Sequence, residues 1–232
     1  MTEVGIKCIK RVGGFYEMCV CGGSYIRHGY SSSGKLRMIC KKCRTTRVNE
    51  YSYRAYHSDI DKQIVVFVKE GLGIRSIARI LKISTATLLR RIRRIAAILR
   101  PPYIFKGRQY EVDEIKTFVG SKKRKIWIAY ALERESRQVV SFKVGSRNNA
   151  TLKTVLQTLF LSEAKTIYTD KFPSYRFLIP ESIHRNWPSC TNHIERKNLN
   201  LRTHLKRLNR RTICYSKSAA ILAACVKIYF WG

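Results

Sequence analysis

Acidic residues are scarce: 15 Asp and Glu stand against 46 Lys and Arg in 232 residues, a formal net charge of +31. Such an imbalance excludes an ordinary near-neutral enzyme and creates a field that draws in polyanions, of which nucleic acid is the commonest inside cells. Uncharged apolar runs of about 18 residues, the length a membrane span needs, are also missing. The longest candidate, Ser218 to Trp231, is broken by Lys227 and too short to cross a bilayer, so a membrane span is excluded. The opening Met1-Thr2-Glu3-Val4 lacks the charged start and apolar core of a secretory signal, and the cytoplasm is the expected compartment. Internal repeats and low-complexity tracts are absent.

What is present is a folding chain. Apolar residues make up 45% and aromatic residues 11%, which excludes a disordered basic tail. Both halves are cationic, with 23 bases to 6 acids up to Tyr110 and 23 to 9 beyond it. Charge spread over two folded halves, with no single basic amphipathic helix, favours nucleic acid over a membrane surface. Punctuation and periodicity divide the chain into a cysteine-rich segment (1–50), an arginine-studded helical segment (51–100), a linker (101–109) opened by Pro101-Pro102, and a strand-rich segment (110–232).

Five of the eight cysteines lie in the first segment. In a cytosolic chain they point to a metal site, because thiols there stay reduced. Cys40-Lys41-Lys42-Cys43 has the two-residue gap that aims two thiolates at one tetrahedral ion, and Cys19-Val20-Cys21, with a one-residue gap, lies about 20 residues upstream. Cys8 is an alternative first ligand. A hairpin from Cys21 through the Gly34 turn to Cys40 completes a small zinc ribbon, in which four sulfurs leave no open position for chemistry. So few aliphatic residues cannot hold this segment together, so structural zinc is expected.

In the second segment, 60–70 and Ile74–Leu81 carry apolar residues at helical spacing. Lys82-Ile83-Ser84 makes a short turn, Ser84 caps a third helix over Thr85–Leu99, and Leu88, Leu89, Ile92, Ile95 and Ala96 form its inward face. Two short helices joined by such a turn are the helix-turn-helix arrangement. Thr85 and Thr87 stand at the start of the third helix, and Arg90, Arg91, Arg93 and Arg94 follow without an interspersed acid, which makes it the expected DNA-recognition helix. A solvated basic face is the plain alternative.

The third segment opens with three strands, Tyr110–Lys116, Lys125–Leu132 and Gln138–Val144, read as an antiparallel meander. A helix from Asn149 to Phe160, a strand Ala164–Thr169, and helices over Thr191–Leu208 and Ser218–Phe230 follow, giving a mixed sheet with flanking helices. The fold class is therefore α+β or α/β. Among only nine acids here, Asp113 sits within a strand, Asp170 ends one and Glu195 begins a helix. Carboxylates on two strands and a helix can converge, and two Mg²⁺ (or Mn²⁺) about 4 Å apart among them can activate a water or a 3′-hydroxyl at phosphorus. Glu111 and Glu114 are set aside as facing the other side of the strand from Asp113.

The blocks Val112-Asp113-Glu114, Tyr168-Thr169-Asp170 and His193-Ile194-Glu195-Arg196-Lys197-Asn198-Leu199-Asn200-Leu201-Arg202, with Cys214-Tyr215-Ser216-Lys217-Ser218 beyond them, resemble the catalytic half of bacterial DDE transposases of the insertion-sequence-one family. The cysteine ribbon and helix-turn-helix stand in that family's usual order, although two residues more commonly separate the first cysteine pair. The resemblance implies a ribonuclease-H-like catalytic domain, with Asp113, Asp170 and Glu195 as the metal-binding triad. It implies DNA contacts from Asn198 and Arg202, three and seven residues after Glu195. It further implies binding of terminal inverted repeats, metal-dependent cleavage that frees a 3′-hydroxyl, and transfer of that end to target DNA by a homodimer or higher oligomer at the nucleoid. A nuclease or resolvase of the same fold, and a non-catalytic repressor, are the rival readings. Of the remaining conspicuous residues, Trp127, Cys190, Cys214 and Cys225 are expected in the core, and His193 is read as a hydrogen-bonding group at the helix start. His184 and Trp187 border the approach to Glu195.

Overall fold

In the computed structural model, which describes residues 18–48 and 59–232, the chain separates into two units, residues 1–53 and 54–232. The first holds an antiparallel sheet of β1 (Tyr25–Tyr30), β2 (Leu36–Cys40) and β3 (Thr46–Val48), in that order. Gly34, at φ +73°, gives the β1–β2 reversal its left-handed residue. Among the described residues of this unit only Cys19, Ile39 and Cys40 form a buried apolar set. Three short strands with so little core do not hold themselves, and two of those three residues are cysteines.

The second unit begins with α1 (Ile60–Lys69), α2 (Ile74–Leu81) and α3 (Thr85–Ile98). Lys82 takes the left-handed conformation that ends α2, and the Ser84 hydroxyl accepts the Thr87 amide at 3.1 Å to start α3. Leu88, Ile92, Ile95 and Ala96 are buried as their spacing predicts. Next come β4 (Gln109–Val119), β5 (Ser121–Glu133), β6 (Val139–Gly145), α4 (Asn149–Leu161), β7 (Thr166–Thr169), α5 (Pro173–Leu178), β8 (His184–Arg185), α6 (Asn192–His204), a 3₁₀ turn and α7 (Ala219–Trp231).

The five strands lie in the order β6-β5-β4-β7-β8. β4, β5 and β6 form the expected antiparallel meander, while β7 runs parallel to β4 and β8 parallel to β7. Alternation along β4 sends Tyr110 and Val112 to the face covered by α4 and α5, and Ile115 to the face covered by α6 and α7. α7 is apolar all round, the pattern of a helix buried on more than one side. Ile221, Ala224, Cys225 and Ile228 share a core with α1, α2 and α3, and Leu222 and Val226 share one with the sheet and α6. The three N-terminal helices are therefore built into the same unit as the sheet. The expected boundary near residue 50 lies outside the described residues.

Several elements differ from expectation. β5 starts at Ser121 rather than Lys125, because Gly120 at φ +74° makes a tight hairpin with β4. α6 ends at His204, and Asn148 rather than Asn149 caps α4, accepting the Thr151 amide at 2.9 Å. α5 and β8 were not foreseen, being too short for a periodic signal. Trp127 is half-buried and Cys214 exposed, whereas Cys190 and Cys225 are buried as expected.

Candidate active site

β4 and β7 pair from Gln109–Thr166 to Val112–Thr169, and there β7 stops while β4 continues. This leaves a notch beside Asp113 and Glu114, with Asp170 at its mouth. One carboxylate oxygen from each of Asp113, Glu114 and Asp170 lies within 4.8 Å of the other two. Adjacent residues of a strand face opposite ways, but at an edge that has just lost its neighbour both side chains can turn into the gap. Glu114 thus belongs to the cluster from which its strand parity had excluded it.

Asp113 is held tightly. Its Oδ2 accepts from Asn198 Nδ2 at 2.5 Å and its Oδ1 from the Glu114 amide at 2.7 Å. Asn198 Oδ1 in turn accepts from the hydroxyl of the fully buried Tyr130 at 2.7 Å. Burial pushes the Asp113 carboxyl up to about 6, with the charges of Asp170 and Glu195 adding to the rise. Asp170 is exposed, its Oδ1 accepting the Phe172 amide at 3.0 Å. Glu195 stands in the first turn of α6, exposed, its Oε1 accepting from the Thr191 hydroxyl at 3.0 Å. It lies near enough to raise Asp113 but outside the group within 4.8 Å. The structure thus joins Asp113 to Asp170 and does not bring Glu195 into their cluster.

The other rejected acid also has a place. Residues 111 and 113 are two apart and share a face, which corrects the expectation that they diverge. Glu111 is completely buried: its Oε2 accepts the Ile194 amide at 2.8 Å, and its Oε1 meets His193 Nδ1 at 2.5 Å and Arg134 Nε at 3.0 Å. A carboxylate on the first amides of a helix satisfies donors with no partner inside the helix. Glu111 therefore fastens the start of α6, and with it Glu195, to the strand that carries Asp113. The Arg134 guanidinium also lies 4.2 Å over the Tyr168 ring, two residues before Asp170. A sequence signal existed, since an acid two residues before Asp113 on one strand faces the same layer.

These carboxylates suit a hard divalent cation, which favours oxygen ligands. Glu114 supplies the test of fit: its side chain is 3% exposed, yet its Oε1 has no hydrogen-bond partner. Arg147 stands 3.6 Å from its Oε2, and a carboxylate buried next to two other acids is costly unless a further cation answers it.

In the first unit the Sγ atoms of Cys19, Cys21, Cys40 and Cys43 lie within 4.8 Å of one another, with Cys19–Cys43 and Cys21–Cys40 both at 3.5 Å. Tetrahedral thiolates at the usual zinc distance stand about 3.8 Å apart, so the four sulfurs fit such an ion. Gly23 is required here, as a Cβ would meet Cys40 Sγ at 2.7 Å. The side-chain hydroxyl of Thr45, then its amide, lower the Cys43 thiol to about 6. Cys8 lies outside the described residues.

The family model for the IS1 transposase matches residues 109–230, the whole sheet and its covering helices. The chain belongs to the IS1 transposase family. It is thus a DDE-type transposase. It is 40% identical over 111 residues to the insertion element IS1 protein InsB of Shigella flexneri, covering 48% of this chain and 85% of that one. It is 38% identical over 108 residues to an IS1 InsB protein of Escherichia coli K12, covering 47% and 65%. Among solved structures, the HTLV-2 integrase catalytic core domain in complex with magnesium is 18% identical with a TM-score of 0.35, over 55% of this chain and 86% of that one.

The residues expected on DNA divide in this IS1-family chain. Thr85, Arg90 and Arg93 are exposed and Thr87 is half-buried. Arg91 and Arg94 instead grip Asp61 of α1, at 2.7 and 2.5 Å, bracing α3 against α1. Asn198 is committed to Asp113 and Tyr130. Arg202 donates to the carbonyls of Leu208 at 2.8 Å and Lys116 at 3.4 Å, and burial lowers its pKa. No helix among the described residues is long and apolar enough to cross a membrane. A cavity of about 450 Å³ beside the start of α6 is lined by Arg108, Arg134, Arg137, Lys165 and His193, with Glu133 and Glu135 at its wall.

Proposed function

We propose that this chain binds the terminal inverted repeats of an insertion sequence and catalyses metal-dependent cleavage and transfer of DNA strands. Its strand order, an antiparallel meander followed by two parallel strands with helices on both faces, supports a ribonuclease-H-like catalytic unit. The observation that carries the proposal is the meeting of Asp113 and Asp170 oxygens within 4.8 Å at the end of β7.

In this reading Asp113 and Asp170 hold Mg²⁺ or Mn²⁺, and Glu195 closes the site from α6. The bound ions supply activation of the attacking oxygen and stabilisation of the leaving oxygen at phosphorus. Asn198 and Tyr130 fix the direction of the Asp113 carboxylate, so that it need not reorient when the phosphodiester arrives. The formal net charge of +31 gives the DNA backbone a cationic surface to settle on. The exposed Thr85, Arg90 and Arg93 of α3, in a helix-turn-helix, together with a ribbon stapled by Zn²⁺ through Cys19, Cys21, Cys40 and Cys43, read the element ends. Joining two ends calls for at least a dimer on DNA.

The test is incubation of labelled end DNA with Mg²⁺ and either the natural chain or Asp170→Asn. Cleavage by the natural chain alone is expected. Cleavage by both, or by neither while binding stays tight, contradicts the proposal; the second result is what a repressor would give.

A further inference from the structure

Glu114 stands outside the three-acid scheme, and the geometry points to it as a direct ligand of the catalytic cation; we propose that Glu114 completes the metal site from the face of β4 opposite Asp113. This inference rests on the proposed metal-dependent function and adds a residue to it.

Three observations carry it. The first is position: a Glu114 carboxylate oxygen lies within 4.8 Å of oxygens of Asp113 and Asp170, whereas Glu195 is outside that group. Three oxygens this close can share one ion at the distances Mg²⁺ and Mn²⁺ require.

The second is an unmet need. Glu114 is 3% exposed; its Oε2 forms an ion pair with Arg147 Nη2 at 3.6 Å, while its Oε1 has no hydrogen-bond partner. The Arg147 guanidinium also lies 3.7 Å over the Phe172 ring. The fully buried Tyr175 hydroxyl lies against this carboxylate. A carboxylate buried beside two other acids, with one guanidinium 3.6 Å away, is costly unless a further cation answers it.

The third is topology. Because β7 ends opposite Val112, the flank of β4 at residues 113 and 114 is unpaired on that side, and both faces open into one notch. An intact β4–β7 ladder would keep these two carboxylates apart. Here the strand end brings them together, and α5 places Tyr175 behind the pair.

The experiment is Mn²⁺ titration of the full chain by isothermal titration calorimetry, without DNA, comparing the natural chain with Glu114→Gln and Asp170→Asn. Both substitutions are expected to weaken binding at least tenfold, about the effect of removing one charged ligand. If Glu114→Gln binds as the natural chain does while Asp170→Asn is weakened, the role of Glu114 is overturned and the underlying metal site survives. If neither substitution changes the affinity, the metal reading of the whole cluster falls. Thermal melting without metal checks folding: Glu114→Gln removes a buried like charge and is expected to melt no lower than the natural chain. Should it fail to fold, Glu114→Asp keeps the charge and retracts it by one methylene. That variant is expected to show the same loss, and unchanged affinity in it overturns the proposal.

Discussion

Replacing Glu111 by Ala tests how the catalytic helix is docked. The substitution removes one completely buried carboxylate and orphans three donors: the Ile194 amide, the Arg134 guanidinium and the His193 ring. Breaking a buried charge pair costs about 3–5 kcal/mol. Arg134 keeps 27% of its side chain in water, which discounts that figure to about 3 kcal/mol. Losing the acceptor for the Ile194 amide adds about 1 kcal/mol. The expected total is about 4 kcal/mol. In urea, at a slope of about 2 kcal/mol per molar, the midpoint falls by about 2 M. Glu111→Gln keeps an acceptor for the amide but loses the charge, and should fall about half as far. A drop below about 0.5 M for Ala, or an equal loss for both variants, refutes the claim that this carboxylate anchors α6.

Three further outcomes follow from other contacts. Asp61→Ala releases Arg91 and Arg94 and should cost the helical segment about 1 kcal/mol, read as a lower melting temperature, because the acid is one-third exposed. Gly71 has φ +70°, and a Cβ there would lie 1.8 Å from the His204 carbonyl oxygen, so Gly71→Ala should destabilise by about 2 kcal/mol or more in urea unfolding. Protons compete with zinc for the four thiolates, so zinc captured by a chromogenic chelator should rise as pH falls from 7.5 to 5. Equal retention at pH 7.5 and 5 contradicts the four-thiolate site.

The strands and acids of the catalytic unit were legible because β-branched and aromatic runs between charged turns mark a meander, and because acids are so few that each stands out. What escaped depends on partners distant in the chain. The pairing of Arg91 with Asp61, thirty residues earlier, is set by how α3 packs on α1. Asn198 lies one turn after Glu195, and its bond to Asp113 is set by how α6 docks on β4. Glu111 was discarded through an error of parity that the period of two corrects. Glu114 could not be placed by parity at all, because its position depends on where β7 stops. The apolar helix at the C-terminus was visible, yet its two simultaneous partners, α1–α3 and the sheet, were not.

The central claim is that Asp113 and Asp170 hold the catalytic ion. It is tested most directly by the anomalous signal of Mn²⁺ in crystals of the full chain. The account predicts a peak about 2.1 Å from a carboxylate oxygen of each residue, at the end of β7. Manganese bound elsewhere while this notch remains empty at saturating concentration would contradict it.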